Sequence, residues 1–237
     1  MNVAVMFSGG KDSCYAIKYC IDKGWNIEAL IAVKPVSDEA YLWHYATVEL
    51  TKLQAEAMQL PLILIKCDDI GPEREALCLK NTLANLDVDA LVLGGVGLQK
   101  TQIREIGKVA KKYGIDVMVP HSSCTSEELL KKEIEDGLEI VITEVAAAGL
   151  GKEWLGKKIN NNFEELKILS KKFGFDLLGE GGSYNTFVTD APYFKKKIYF
   201  TEKGISWDEK TRSGHVVADA ILVPKEEINY YPFTVPV

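Results

Sequence analysis

Five short, mostly apolar runs constrain the fold of this chain more than any other feature. They are Val3–Phe7, Ile27–Val36, Pro61–Cys67, Ala90–Val96 and Asp116–Pro120. None alternates apolar with polar residues, as a strand with one wet face would. Strands buried on both faces form a parallel sheet covered by helices. The intervening stretches supply those helices: Lys11–Lys23 stopped by Gly24, residues 41–59 broken before Pro61, residues 72–86, and residues 100–113 ended by Gly114. Right-handed crossovers then predict a Rossmann-like, layered α/β domain over residues 1–122.

The pattern changes beyond residue 122. A helix over 126–137 with Ser126 as N-cap leads to a strand from Glu139, then to a helix capped by Asn162 and closed by Gly174. Short strands and turns follow, at 175–188, 195–200, 204–210 and 215–224. The expectation is a smaller α+β domain over 123–237, with the aromatic tail 229–237 packed on its surface.

Composition narrows the function classes. Of the 237 residues 47% are hydrophobic, enough for a sizeable core, and the net charge is −6. An acidic chain does not coat nucleic acid, which needs clustered Lys and Arg. The five cysteines, at 14, 20, 67, 78 and 124, contain no Cys-x-x-Cys pair, which argues against a zinc ribbon or redox couple. Cys14 reads as a small apolar helix residue rather than a reactive thiol. No apolar run reaches the roughly 20 residues of a membrane span, and no leader precedes the first strand, so a cytoplasmic protein is expected.

The first strand runs into "FSGGKDSCYA" at residues 7–16. A loop at the C-terminal end of a strand, opening a helix, is where open α/β sheets bind ligands. Glycines let backbone N–H groups approach an anion, and the helix N-terminus favours a phosphate. Ser8 and Ser13 add hydroxyls, and Lys11 a positive charge. A turn that merely joins strand to helix is the competing reading. The spacing fits neither Gly-x-x-x-x-Gly-Lys-Ser/Thr nor Gly-x-Gly-x-x-Gly.

"SGGKDS" resembles the PP-loop, Ser-Gly-Gly-x-Asp-Ser/Thr, of the ATP pyrophosphatase superfamily. That resemblance implies that Ser8, Gly9, Gly10, Lys11, Asp12 and Ser13 bind ATP, with Asp12 and Lys11 catalytic and Asp12 assisting a Mg²⁺ ion. Four further segments resemble the diphthine–ammonia ligase family: "EAYLWHYATVELTKLQAEAMQLPL", "LVLGGV", "VAAAGLGKEWLGKKI" and "LLGEGGSYNTFVTDAPYFKKKI". The family uses ATP and ammonium to amidate diphthine, a modified histidine of elongation factor 2. The resemblance implies Gly94 and Gly95 at the nucleotide, and Glu180 as a catalytic group that holds ammonium or takes its proton. Gly181, Gly182, Ser183 and Asn185 are implied on the acceptor side; His44, beside Tyr41, Trp43 and Tyr45, is a candidate for the acceptor or adenine pocket, with a partly buried, hydrogen-bonded histidine as the plainer reading. The family usually carries an acid where Ser183 stands, and often His or Glu where Asn185 stands. Elongation factor 2 and ammonium are the implied partners, without membrane or nucleic acid; a homodimer is allowed.

Other residues have plainer readings beside their functional ones. His121, after the fifth run, is a candidate for the ligand edge; His215 reads as a surface turn. Trp154 reads as a packing anchor, and Lys195–Lys197 as a solvated strand edge. Two rival functions stay open: a tRNA-thiolating PP-loop enzyme, provided that Cys67 and Cys124 meet in space, and a non-catalytic adenine-nucleotide-binding module.

Overall fold

The structure, a computed structural model, describes residues 1–36, 42, 47–97 and 99–225. The first half contains β1 (Asn2–Met6), α1 (Lys11–Asp22), β2 (Asn26–Pro35), α2 (Thr51–Met58), β3 (Leu62–Cys67), α3 (Pro72–Leu77), α4 (Lys80–Leu83), β4 (Ala90–Val92), α5 (Lys100–Ala110) and β5 (Asp116–Met118). The five strands form one sheet in the order β3-β2-β1-β4-β5, and every pair in it is parallel. This is the Rossmann-like α/β layer that the apolar runs predict. The order reverses at β1, so the crevice beyond the C-terminal ends of β1 and β4 is the topological switch point.

The second half contributes α6 (Ser126–Glu135), β6 (Glu139–Val145), α7 (Ile159–Phe173), β7 (Tyr184–Asp190), β8 (Lys197–Asp208) and β9 (Ser213–Val223). Its four strands pair antiparallel in the order β7-β6-β9-β8. Both faces of β1 are buried. Val3, Val5 and Phe7 join a cluster that runs through α1 into β6, β7 and α7, while Ala4 and Met6 face the cluster over α3, α4 and α5. One continuous apolar core thus links the two sheets. No helix among the described residues is long and apolar enough to cross a membrane.

Several element boundaries differ from expectation, each for a local reason. Within 41–59 the described helix is confined to α2 and a short 3-10 turn over Val48–Leu50, entered through Thr47 at φ 63°. The stretch 72–86 splits because Cys78 and Leu79 bond three residues back, to Glu75 and Ala76, and tighten the chain between α3 and α4. The runs at 195–200 and 204–210 belong to one strand, β8. α6 is capped by Thr125, not Ser126: Thr125 Oγ1 accepts from the Glu128 N–H while the Glu128 side chain bonds back to the Thr125 N–H. α7 begins before Asn162, which is a kink at φ −127° whose amide donates to the Lys158 carbonyl. The early turn is held by Asn160, whose amide bonds the Leu138 carbonyl and the Ile140 N–H at the start of β6. His215 lies within β9, opposite Glu144 and Ser206, rather than in a turn.

Candidate active site

β1 ends in the turn Phe7–Gly10, which feeds directly into α1. Gly9 takes φ +79°, and a Cβ there would stand 2.4 Å from the Gln54 amide oxygen. A Cβ on Gly10 would press on the Thr186 carbonyl at 3.2 Å. The two glycines therefore let the loop pack against α2 and β7. The Gly9 carbonyl accepts from Gln54 Nε2 at 2.8 Å and from the Val188 N–H at 3.0 Å. No side chain caps α1. The Lys11 N–H turns to Thr186 Oγ1, which leaves the first-turn N–H groups of Asp12 and Ser13 for an anion.

The exit of β4 completes the crevice. A Cβ on Gly94 would lie 2.4 Å from the Asp12 carbonyl group, so this strand end rests on the first turn of α1. Between them opens a cleft. Ile31, Val33, Leu42, Val48 and Leu93 form its apolar wall, and Ser8, Asp12, Ser13, Gln99 and Gln102 its polar side. An apolar slot with a few convergent polar groups is the usual make-up of a small-molecule site. Leu42 is fixed on that wall at both ends of its backbone: its N–H bonds Glu75 at 2.6 Å and its carbonyl accepts from Gln102 at 2.8 Å.

Below the loop lies a cluster of charges. Lys11 is 2% exposed, and its ammonium bonds Asp12 Oδ2 and the Leu178 carbonyl, each at 2.6 Å. Burial alone would lower its pKa, but the neighbouring Asp12 and Glu133 more than offset this and raise it above the ordinary lysine range. Lys11 therefore ties the loop to the second half of the chain. Glu133 of α6 is fully buried against Asp12, and both its oxygens and Asp12 Oδ1 lack an ordinary donor. Two facing carboxyls bond only if one keeps a proton. Burial, then the Asp12 charge, keep it on Glu133 by raising its pKa well above the carboxylate range.

The segment Gly179–Gly182 enters from the second half. Lys11 holds it through the Leu178 carbonyl, and Asp176 Oδ1 accepts from the Leu178 and Glu180 N–H groups. Gly181 and Gly182 have positive φ and open space around them. Glu180 reaches back to the first half. Gln99 Nε2 donates to its Oε2 at 2.7 Å, and a Cβ on Gly95 would meet its Oε1 at 2.9 Å. Burial, then the Asp12 charge, push the Glu180 carboxyl up to about 7, against the opposing pull of Lys11 and Gln99.

The structure thus brings Ser8, Asp12, Ser13 and Gly94 to the cleft, and Lys11, Gly95 and Glu180 beside it. Ser183 and Asn185 make structural contacts. The Ser183 carbonyl accepts from the Ala146 and Ala147 N–H groups, and Asn185 bonds Glu144 at 2.6 Å. His44 and the tail 229–237 lie outside the described residues. His121 packs on Tyr15 and Tyr19 and does not line the cleft. Trp154 is 1% exposed, with Lys157 over its ring. Lys197 is half-buried on Glu139, and only Lys195 and Lys196 are solvated. Gln54, Gln99, Glu133 and Thr186 are not singled out by the sequence, because isolated residues far apart in the chain carry no motif.

Two family models and two relatives point to the same family. A family model described as the diphthamide synthase N-terminal domain matches residues 1–117, and one described as the diphthamide synthase C-terminal domain matches residues 125–220. The diphthine–ammonia ligase of Homo sapiens is 36% identical over 222 residues, which cover 84% of this chain and 82% of that protein. The diphthine–ammonia ligase of Danio rerio is 33% identical over 219 residues, 84% of this chain and 86% of that one. A solved structure titled as a predicted subunit of tRNA methyltransferase from Methanocaldococcus jannaschii covers 81% of this chain and 98% of its own, at 16% identity and a TM-score of 0.47.

Proposed function

The chain belongs to the diphthamide synthase family, and from that premise we propose that it is an ATP-dependent ligase amidating the carboxylate of diphthine on elongation factor 2. A carboxylate is a poor electrophile with a poor leaving group. In the first half-reaction its oxygen attacks the α phosphorus of ATP, and the bond to the β phosphate breaks. Acyl-adenylate and pyrophosphate result. In the second, ammonium gives one proton to a base, and the ammonia so formed attacks the acyl carbon. AMP leaves, and a second proton is shed as the amide forms.

The residues divide along these steps. The apolar wall of Ile31, Val33, Leu42, Val48 and Leu93 takes the base of the nucleotide. Ser8, Ser13 and the first-turn N–H groups of α1 hold the pyrophosphate end. Asp12, whose carboxylate borders the cleft, is the residue that would hold a hard cation. No group of three or more His, Cys, Asp or Glu is gathered among the described residues, which leaves Asp12 as the residue for Mg²⁺. Its charge would offset that developing on the phosphates. Glu180 takes the proton from ammonium, a task suited to a carboxyl poised at about 7. The loop Gly179–Gly182, open around Gly181 and Gly182, faces the acceptor.

The observation that carries this reading is the convergence of the intact SGGKDS loop and Glu180 around one cleft. The thiolation reading loses its cysteine pair. Cys67 ends β3 and Cys124 follows β5, and these opposite edges of a five-stranded sheet stand roughly 19 Å apart. The test is a product assay with ATP, Mg²⁺, ammonium and diphthine-bearing elongation factor 2. AMP and pyrophosphate should appear with the small mass loss of a hydroxyl exchanged for an amine. Asp12→Ala should abolish AMP formation while the protein stays folded. ATP binding without AMP would sink the ligase assignment and favour the binding module.

A further inference from the structure

Gln99 stands where the two halves of the site meet. It directly precedes α5, its side chain lines the cleft, and its Nε2 donates to Glu180 Oε2 at 2.7 Å. Among the lining side chains it is the one hydrogen-bonded to the Gly179–Gly182 loop. The loop after β4 is shaped around this contact. Gly95 takes φ +82°, and a Cβ there would lie 2.9 Å from Glu180 Oε1 and 3.5 Å from Gln99 Oε1. Glu180 Oε1 is itself buried with no donor, so the amide of Gln99 is the neutral group that fixes the carboxylate's direction.

We propose that Gln99 is a positioning residue for the second half-reaction, which orients the Glu180 carboxylate toward the nucleotide cleft and holds it ready as a proton acceptor. The inference rests on the ligase reading above for its chemistry, but its geometry does not. An amide N–H stabilises the ionised carboxylate more than the neutral acid. Asp12 of α1 and Asp176, just before the loop, favour the acid, Lys11 of α1 favours the carboxylate, and Glu133 of α6, which keeps its proton, adds no charge. Gln99 is the contribution from the nucleotide side. It alone can be changed without altering the charge of the site.

The experiment follows the Glu180 carboxyl directly. Glutamate side chains are labelled with ¹³C, and the full chain is titrated by NMR without substrate; Glu180→Gln identifies the resonance. The wild type should titrate near neutrality. Gln99→Met, which keeps the volume and removes the donor, should bind the Glu180 proton roughly tenfold more tightly. Gln99→Glu, which adds a like charge, should tighten it further. In the product assay the rising limb of kcat against pH should move by the same factor, with kcat restored above the new midpoint. A Glu180 midpoint equal in wild type, Gln99→Met and Gln99→Glu would overturn the proposal, whatever the assay shows. Shifted midpoints with no amide product in any variant would leave the Gln99 contact intact and overturn the ligase reading instead.

Discussion

Lys11 departs most from what its place in a phosphate loop suggests. Its ammonium does not point into the cleft; it is buried and joins Asp12 to the Leu178 carbonyl. Removing the buried ammonium leaves a partly exposed Asp12 carboxylate and the Leu178 carbonyl without their partner, at a cost of about 1–3 kcal/mol. Lys11→Met should therefore lower unfolding stability by that order in urea. Adding Asp12→Asn should restore part of it, because the stranded charge is gone; strictly additive losses would refute the pairing. Glu180 gives a prediction of opposite sign with pH. Its folded pKa of about 7 lies above the ordinary 4.5, so between those values the folded chain keeps a proton that the unfolded chain releases. Stability then falls as pH rises across that window. Melting temperatures of Glu180→Gln should lack this component of the decline, and parallel curves for both proteins would contradict the shift.

At the scale of elements, α6 shows both what was legible and what was not. The sequence offers Thr125-x-x-Glu128, the spacing of a capping box, whereas Ser126 has Leu129 three residues on. The structure follows the box, and Ser126 Oγ turns to Asp176 at 2.7 Å. Thr125→Ala should cost about 1 kcal/mol by loss of the cap, read as a lower urea midpoint, with Ser126→Ala a smaller effect. The strands β1 to β5 were legible for a similar reason: burial on both faces writes itself as apolar runs. So was the loop at 8–13, since its chemistry lies in consecutive residues. Glu133 was not. It sits on the buried face of an ordinary-looking helix, and only the packing of α6 against α1 brings it to Asp12. Gln99 was hidden likewise, because its partner lies 81 residues away.

At the scale of the whole molecule, a buried amide helps to brace the two sheets together at the site. Gln54 of α2 is fully buried, and its Nε2 donates to the Gly9 carbonyl of the phosphate loop and to the Val188 carbonyl of β7. Val188 in turn donates its N–H to the Gly9 carbonyl at 3.0 Å. The loop is thus held against a strand that lies almost 180 residues further along. Its shape depends on both halves, and the shared apolar core beneath it points the same way. Gln54→Leu keeps the bulk and deletes the donor, taking one hydrogen bond from the Val188 carbonyl and leaving the Gly9 carbonyl with the Val188 N–H. Each such loss costs about 1–3 kcal/mol. The expected result is one cooperative unfolding transition at a lower urea midpoint, together with weaker ATP binding, because the loop loses its brace. Two separated transitions in the variant would mean that the halves fold independently. An unchanged ATP affinity would mean that the loop keeps its shape without the second sheet, and that the glycines at 9 and 10 serve the phosphate alone.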